Sequence, residues 1–134
     1  MYTKKDYQAY INEYNNYYHT SFSDLTERYN LFSKDDNEYG YTMSWPNNLK
    51  PGVYIVLDQN EELLYIGQSQ SLGKRLNQHF PSYEGKCTIA ESDKEKLKGA
   101  YYLYTTSCSE DKAWERLSLE GYLICKLNPP RNER

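Results

Sequence analysis

The stretch GVYIVLDQNEELLYIG, residues 52–67, decides the fold of this chain. Gly52 to Leu57 is a short apolar run rich in β-branched residues, and Glu62 to Gly67 is a second run ending in Tyr-Ile-Gly. β-Branched and aromatic side chains suit a pleated, half-buried surface. Between the runs, Asp58-Gln59-Asn60-Glu61 carries turn chemistry, so the two are expected to return on each other as an antiparallel hairpin. Side chains alternate between faces along a strand, so Tyr54 goes with Gly52 and Val56, and Tyr65 goes with Leu63 and Gly67. A suitable register then brings both phenols to one side of the sheet.

Downstream of the hairpin, Ser69 or Ser71 can cap a helix that runs to about Phe80. Leu72, Leu76 and Phe80 form its apolar line, with Arg75 and His79 one turn apart on an adjacent face. A charged stretch over 91–98 reads as helical, and AYYLYTT, residues 100–106, reads as a third strand. A closing helix is expected from about Glu110 to Lys126, with Ala113, Leu117, Leu119, Leu123 and Ile124 on its buried side and Cys125 facing inward. Asn128-Pro129-Pro130 ends it, because neither proline can continue the hydrogen-bond ladder. The order strand, strand, helix, charged segment, strand, helix predicts an α/β (α+β) domain. Its sheet is small, mainly antiparallel and three-stranded, and helices flank it.

Upstream, the chain changes character. Nine of the sixteen tyrosines fall within the first 41 residues. Tyr7, Tyr10, Ile11, Tyr14, Tyr17 and Tyr18 recur at helical spacing. Such a stripe could stack bases, but aromatic residues at this spacing ordinarily pack against a neighbouring surface. A second helix is expected from about Asp24 to Phe32, and residues 33–50, with Gly40, Pro46 and paired asparagines, read as a connection. The division is therefore a tyrosine-rich helical extension over 1–48 and a domain over 49–134. The extension could complete a binding groove, mediate dimerisation or cover the sheet.

A chain of 134 residues suits one domain and needs no disulfide or metal to fold. Cys87, Cys108 and Cys125 show no zinc-ligand spacing, and their odd number without a signal peptide points to reduced thiols. No apolar run approaches the roughly 20 residues that cross a bilayer, so a soluble, cytoplasmic protein is expected. Neither G-x-G-x-x-G nor G-x-x-x-x-G-K-[ST] occurs, which leaves dinucleotide and P-loop nucleotide binding without support. The formal charge of −3 argues against strong non-specific binding of nucleic acid. The balance is uneven, however. Residues 1–67 hold five Lys/Arg against ten Asp/Glu, whereas residues 68–98 hold six against four.

Taken singly, the polar residues of the second part have ordinary explanations as packing, surface charge or solvated arginine. Their ordered combination does not. Gly52-Val53-Tyr54 is followed by Tyr65-Ile66-Gly67, then Ser69, Arg75 and His79, and later Glu120, Pro129 and Asn132. Over about residues 50–132 this set resembles the GIY-YIG nuclease family. The first signature tripeptide stands here as GVY, with valine for isoleucine, and the second as an intact YIG. YIGQSQSLGKRLNQH is similar to the family's strand-to-helix segment, and LEGYLICKLNPPRN to its closing motif.

The resemblance implies a divalent-metal-dependent endonuclease that hydrolyses DNA and leaves 5′-phosphate and 3′-hydroxyl ends. It implies Tyr54 and Tyr65 as signature tyrosines, Arg75 as catalytic arginine, His79 where certain restriction enzymes carry a catalytic histidine, and Glu120 as metal ligand. Asn132 would support the site, and Gly67 would permit close backbone approach. The implied cofactor is Mg²⁺, for which Mn²⁺ can substitute, and waters would complete a shell begun by one carboxylate. Arg75 offers a planar donor fork to a phosphate oxygen. Tyr54, with a reference pKa near 10, needs help to act as base, and His79 is either that help or the base itself. Ser69 reads as a cap or phosphate contact, and Lys74 and Lys86 as contacts to the nucleic-acid backbone. Single-stranded, branched or RNA substrates, and a weakly catalytic nucleic-acid-binding or inhibitory protein, are the competing readings. A homodimer or a partner protein would supply specificity. No membrane partner is expected.

Overall fold

Helix α1, Lys4–Tyr18, starts at a reciprocal cap: Thr3 Oγ1 accepts from Asp6 N and the Asp6 carboxylate accepts from Thr3 N at 2.8 Å. It ends at His19 in the left-handed conformation. The remaining elements follow in the order β1 Tyr29–Asn30, β2 Gly52–Leu57, β3 Leu63–Ser69, α2 Leu72–His79, β4 Ser82–Tyr83, β5 Lys86–Cys87, β6 Tyr102–Ser107 and α3 Glu115–Leu127. The computed structural model describes residues 1–31, 45–83 and 86–132.

The principal sheet has the order β1-β6-β2-β3, and every pairing is antiparallel. All six residues of β2 are buried, because helices cover both faces of this inner strand. On one side Val53, Ile55, Leu57 and Ile66 pack with Tyr7, Ile11 and Tyr14 of α1 and with Leu119, Leu123 and Leu127 of α3. On the other, Tyr54, Val56 and Leu103 pack with Leu72, Leu76, Phe80 and Leu97. The helical tyrosine stripe is thus divided. Tyr7 and Tyr14 are core residues, while Tyr17 and Tyr18 face solvent. Among the described residues, no helix is long and apolar enough to cross a membrane.

The sheet carries one strand more than the sequence indicated. Over 24–31 no helix forms, and the segment runs alongside β6. Ser23 N donates to Ser107 O at 2.9 Å, Thr26 N to Thr105 O at 3.0 Å and Leu31 N to Tyr101 O at 2.8 Å. The side chains of Ser23 and Thr26 accept from Ser107 N and Thr105 N. Hydroxyl groups able to bond a neighbouring backbone compete with helix formation, and here the β6 edge prevails. Phe32 and residues 33–44 of the expected connection lie outside the described residues.

Two further expectations change. The charged stretch 91–98 makes only a 3₁₀ turn, Glu91–Asp93, before turns leading to Gly99 at φ 87°. The closing helix begins at Glu115 after a separate 3₁₀ turn, Glu110–Lys112. Its buried line is Leu119, Leu123 and Leu127. Cys125, two positions from Leu123 and so rotated away from that line, is exposed, as is Leu117. The helix stops at Asn128, which adopts the left-handed conformation ahead of the two prolines.

Candidate active site

The hairpin register pairs Tyr54 with Gly67 and Val56 with Tyr65, which sets both phenols on one face as diagonal neighbours. Their ring centroids are 6.2 Å apart. A β-carbon added at Gly67 would stand 2.3 Å from both Cζ and Oη of Tyr54, so the Tyr54 ring lies directly across the Gly67 backbone. No side chain fits there without moving the phenol.

Helix α2 is docked at both ends. At its start, Leu72 N and Gly73 N donate to Lys50 O and Asn48 O at 2.9 and 2.7 Å. Ser69 Oγ closes the approach by donating to Ser71 O and accepting from Ser71 N, so Ser71 rather than Ser69 occupies the capping position. At its end, His79 is 2% exposed and makes two short contacts. Its Nε2 lies 2.7 Å from Tyr54 Oη, and its Nδ1 lies 2.8 Å from Asp93 Oδ2. Lys96 Nζ stands 3.8 Å from the other Asp93 oxygen and 5.1 Å above the Tyr65 ring. Tyr54, His79 and Asp93 therefore form a continuous line, drawn from β2, the end of α2 and the 3₁₀ turn.

One helical turn before His79, Arg75 is exposed; it donates to Gln78 Oε1 at 3.3 Å and also interacts with the Tyr54 phenol. It lines an open groove of about 520 Å³ together with Gln68, Ser69, Gln70, Ser71, Lys74, Gln78 and Arg116. Three cations, Lys74, Arg75 and Arg116, thus share one groove. Arg116 is fixed by donating from Nε to Gln68 Oε1 at 2.7 Å and from Nη1 to Ala113 O at 2.6 Å. Glu120 follows Arg116 by one turn on α3 and is half-buried.

The electrostatics tie these groups together. Burial pushes the Tyr54 phenol well above its ordinary value, Tyr65 and Glu120 add to this, and Arg75 opposes it. Burial lowers the His79 imidazole below its usual range, and Asp93 opposes that shift. Burial also raises the Glu120 carboxyl, with Arg116 acting against it. Tyr54, Tyr65 and His79 stand together, with ring centroids 5.6–6.5 Å apart, and Arg75 lies one helical turn before His79, while Glu120 comes from α3. Asn132 lines a cavity with Tyr65 and Lys96. Its side-chain amide spans the β3 backbone, accepting from Ile66 N at 2.9 Å and donating to Ile66 O at 2.8 Å. Lys74 is exposed at the groove, and the side chain of Lys86 lies outside the described residues.

Among the described residues no three His, Cys, Asp or Glu side chains cluster as a metal cage. Glu120 makes no ion pair among the described residues, and its half-buried carboxylate offers hard oxygen donors beside the groove. That fits a Mg²⁺-like cation, which keeps several of its own waters.

Asp93 and Arg116 were not singled out by the sequence. Asp93 sits in a run of alternating charges with no motif spacing. Arg116 had one available signal, its position four residues before Glu120 on a helix.

Residues 50–134 match the family model described as the GIY-YIG catalytic domain. The chain is similar to UvrABC system protein C from Finegoldia magna, 34% identical over 83 residues that make up 62% of this chain and 13% of that protein. It is also similar to UvrABC system protein C from Acetivibrio thermocellus, 35% identical over 83 residues covering 62% of this chain and 12% of that protein. The counterpart from Methanococcoides burtonii is 34% identical over 82 residues, 61% of this chain and 13% of its own length. The chain thus spans about an eighth of the length of these relatives. No solved structure matches it significantly.

Proposed function

The chain belongs to the GIY-YIG nuclease family, and from that premise we propose that it is a divalent-metal-dependent endonuclease hydrolysing DNA phosphodiester bonds to 5′-phosphate and 3′-hydroxyl ends. The observation that carries this reading is the buried Tyr54–His79 pair, 2.7 Å between Oη and Nε2, with Arg75 one helical turn before His79 on a groove that Lys74 and Arg116 also line. Half-buried Glu120 follows Arg116 by one turn on α3.

Each group has a defined task. A phosphate of the substrate backbone enters the groove between Arg75, Lys74 and Arg116. Arg75 is exposed at the groove, so its guanidinium can fork onto a non-bridging oxygen. The attacking water gives its proton towards the Tyr54 hydroxyl. Because burial disfavours a free Tyr54 phenolate, that transfer needs a partner to take the tyrosine's own proton, and His79 Nε2 stands at 2.7 Å to do so. Tyr65, on the same face, orients the water or the phosphate. Glu120 would hold Mg²⁺, or Mn²⁺ in its place, and the bound ion supplies Lewis-acid neutralisation of charge at the phosphate and departing oxygen. The raised Glu120 carboxyl fits that task, because a cation beside it offsets the cost of burying its charge.

The acidic overall charge and the short cationic groove imply modest affinity for nucleic acid. A partner protein or second copy then supplies specificity, in keeping with relatives named as one component of a multi-component system.

The test is cleavage of labelled duplex, single-stranded, branched and RNA substrates by wild type and the Glu120→Ala protein, each with Mg²⁺, Mn²⁺ or EDTA. Metal-dependent cleavage of DNA that Glu120→Ala abolishes, in protein with a wild-type circular dichroism spectrum, is the expected result. Preferred cleavage of RNA would move the substrate assignment while keeping the chemistry. Cleavage that persists in Glu120→Ala or in EDTA would remove Glu120 from the site.

A further inference from the structure

Resting on that nuclease reading, we infer that Asp93 is a positioning residue for the reaction. Its carboxylate holds His79 in the tautomer protonated at Nδ1, so that Nε2 stands as acceptor for the Tyr54 hydroxyl proton.

The argument begins with the contacts of His79. The ring is 2% exposed, and each nitrogen has one short contact, Asp93 Oδ2 at 2.8 Å from Nδ1 and Tyr54 Oη at 2.7 Å from Nε2. An ionised carboxylate can only accept, so Nδ1 must carry the hydrogen. In the neutral ring Nε2 then has a lone pair, and Tyr54 must be the donor to it. With its hydrogen committed to His79, the Tyr54 oxygen keeps its own lone pairs for the proton of the attacking water.

The protons then balance. The water proton passes to Tyr54 Oη as the tyrosine proton passes to His79 Nε2, and the resulting imidazolium is compensated by the Asp93 charge. The water oxygen bonds to phosphorus, the bond from phosphorus to the 3′ oxygen breaks, and that oxygen takes its proton from solvent.

The backbone holds Asp93 in this place. Ala90 N donates to the carbonyl of His79 itself at 2.8 Å, and Asp93 N donates to Ala90 O at 2.9 Å. The 3₁₀ turn is therefore fastened to the last residue of α2. The ionisable groups facing His79 are Tyr54 from β2, Tyr65 from β3, Arg75 from its own helix, and Asp93 and Lys96 from the turn and its continuation. Of the charged neighbours, Arg75 and Lys96 act with burial to keep the ring neutral, and Asp93 acts against them. Removing the Asp93 charge should therefore lower the His79 titration further while depriving the ring of its fixed tautomer.

The experiment combines nitrogen-15 NMR of the two histidines with pH–rate profiles for wild type and Asp93→Asn, on the full chain with Mg²⁺. His19 and His79 are the only histidines, and a His19→Gln protein identifies the His79 signals. Wild type should show the Nδ1–H tautomer at neutral pH. In Asp93→Asn the plateau rate should fall by about 10²-fold, on the scale of general acid–base contributions. The acid limb and the NMR titration of His79 should both move to lower pH, which a simple loss of folded protein would not produce.

A wild-type Nε2–H tautomer overturns the inference without recourse to any variant. Wild-type cleavage retained undiminished in Asp93→Asn overturns it while leaving the nuclease reading intact. Absence of cleavage by wild type on every substrate overturns both.

Discussion

Replacing Gly67 by alanine adds a single carbon, yet it should damage both stability and catalysis. That carbon would lie 2.3 Å from Cζ and Oη of Tyr54, whereas carbon atoms rest at about 3.5–4.0 Å. The phenol must therefore retreat by roughly 1 Å. It has little freedom to do so. Tyr54 is buried, its strand is paired on both sides, and its hydroxyl is bonded to His79. Overpacking of this kind costs about 1–3 kcal/mol, and stretching the Tyr54–His79 bond adds about 1 kcal/mol. For a domain of this size the melting temperature should drop by roughly 6–20 °C. A displacement of about 1 Å at a reacting group can cost about 10²-fold in rate. The assay is a thermal melt beside single-turnover DNA cleavage with saturating Mg²⁺. Gly121→Ala is the control, because a β-carbon there meets nothing within 4 Å and the position lies inside α3. That change should stabilise by about 0.5–1 kcal/mol through helix propensity. A Gly67→Ala protein that melts with wild type and cleaves at the wild-type rate would refute the packing argument and the role given to Tyr54.

Two further outcomes can be checked on the same protein. Arg75→Ala should lower the cleavage rate by about 10²–10³-fold, the range found for losing one transition-state donor, while its melting temperature stays near wild type because the side chain is exposed; a small rate effect would mark Arg75 as a surface arginine. Burial raises the Tyr7, Tyr54 and Tyr104 phenols. Above about pH 10 the unfolded chain therefore releases protons that the folded chain retains, so stability should be full below that pH and decline as pH rises through the folded values. Urea midpoints between pH 8 and 11.5 would show the decline, and it should be shallower in Tyr7→Phe, whose parent hydroxyl is buried with no hydrogen-bond partner among the described residues.

The parts legible in the sequence are those set by local periodicity. The alternation in GVYIVL and ELLYIG specified a hairpin whose register does bring Tyr54 and Tyr65 to one face. The spacing of Leu72 and Leu76 likewise specified the buried side of α2. The misses share a different cause. The segment 24–31 has enough helical pattern to suggest a helix, but the backbone groups of β6, more than seventy residues away, offered Ser23 and Thr26 better partners. Asp93 carries no local mark, since its importance comes from the backbone bond between Ala90 and His79 that brings a charged turn against the end of α2. Cys125 and Leu117 are exposed because an apolar residue on α3 is buried only in phase with Leu119, Leu123 and Leu127, and that phase is set by packing on the sheet. Sequence pattern gives the faces of elements, and contacts between distant elements decide which polar residues meet.

Strand β3 is the outer strand of the sheet, and its outward backbone groups at Ile66 are both taken by one side chain, the Asn132 amide, while Leu64 O accepts from Arg131 N at 3.0 Å. An amide carries the same donor and acceptor as a peptide unit, so Asn132 imitates one link of a fifth strand without continuing the ladder. An open edge of this kind, made of Leu-Leu-Tyr-Ile, would otherwise template strand addition from a second molecule. The closing motif therefore works as a stopper against cross-chain pairing as well as a support for the hairpin. Asn132→Ala should leave an edge that recruits its own kind, visible as concentration-dependent aggregation.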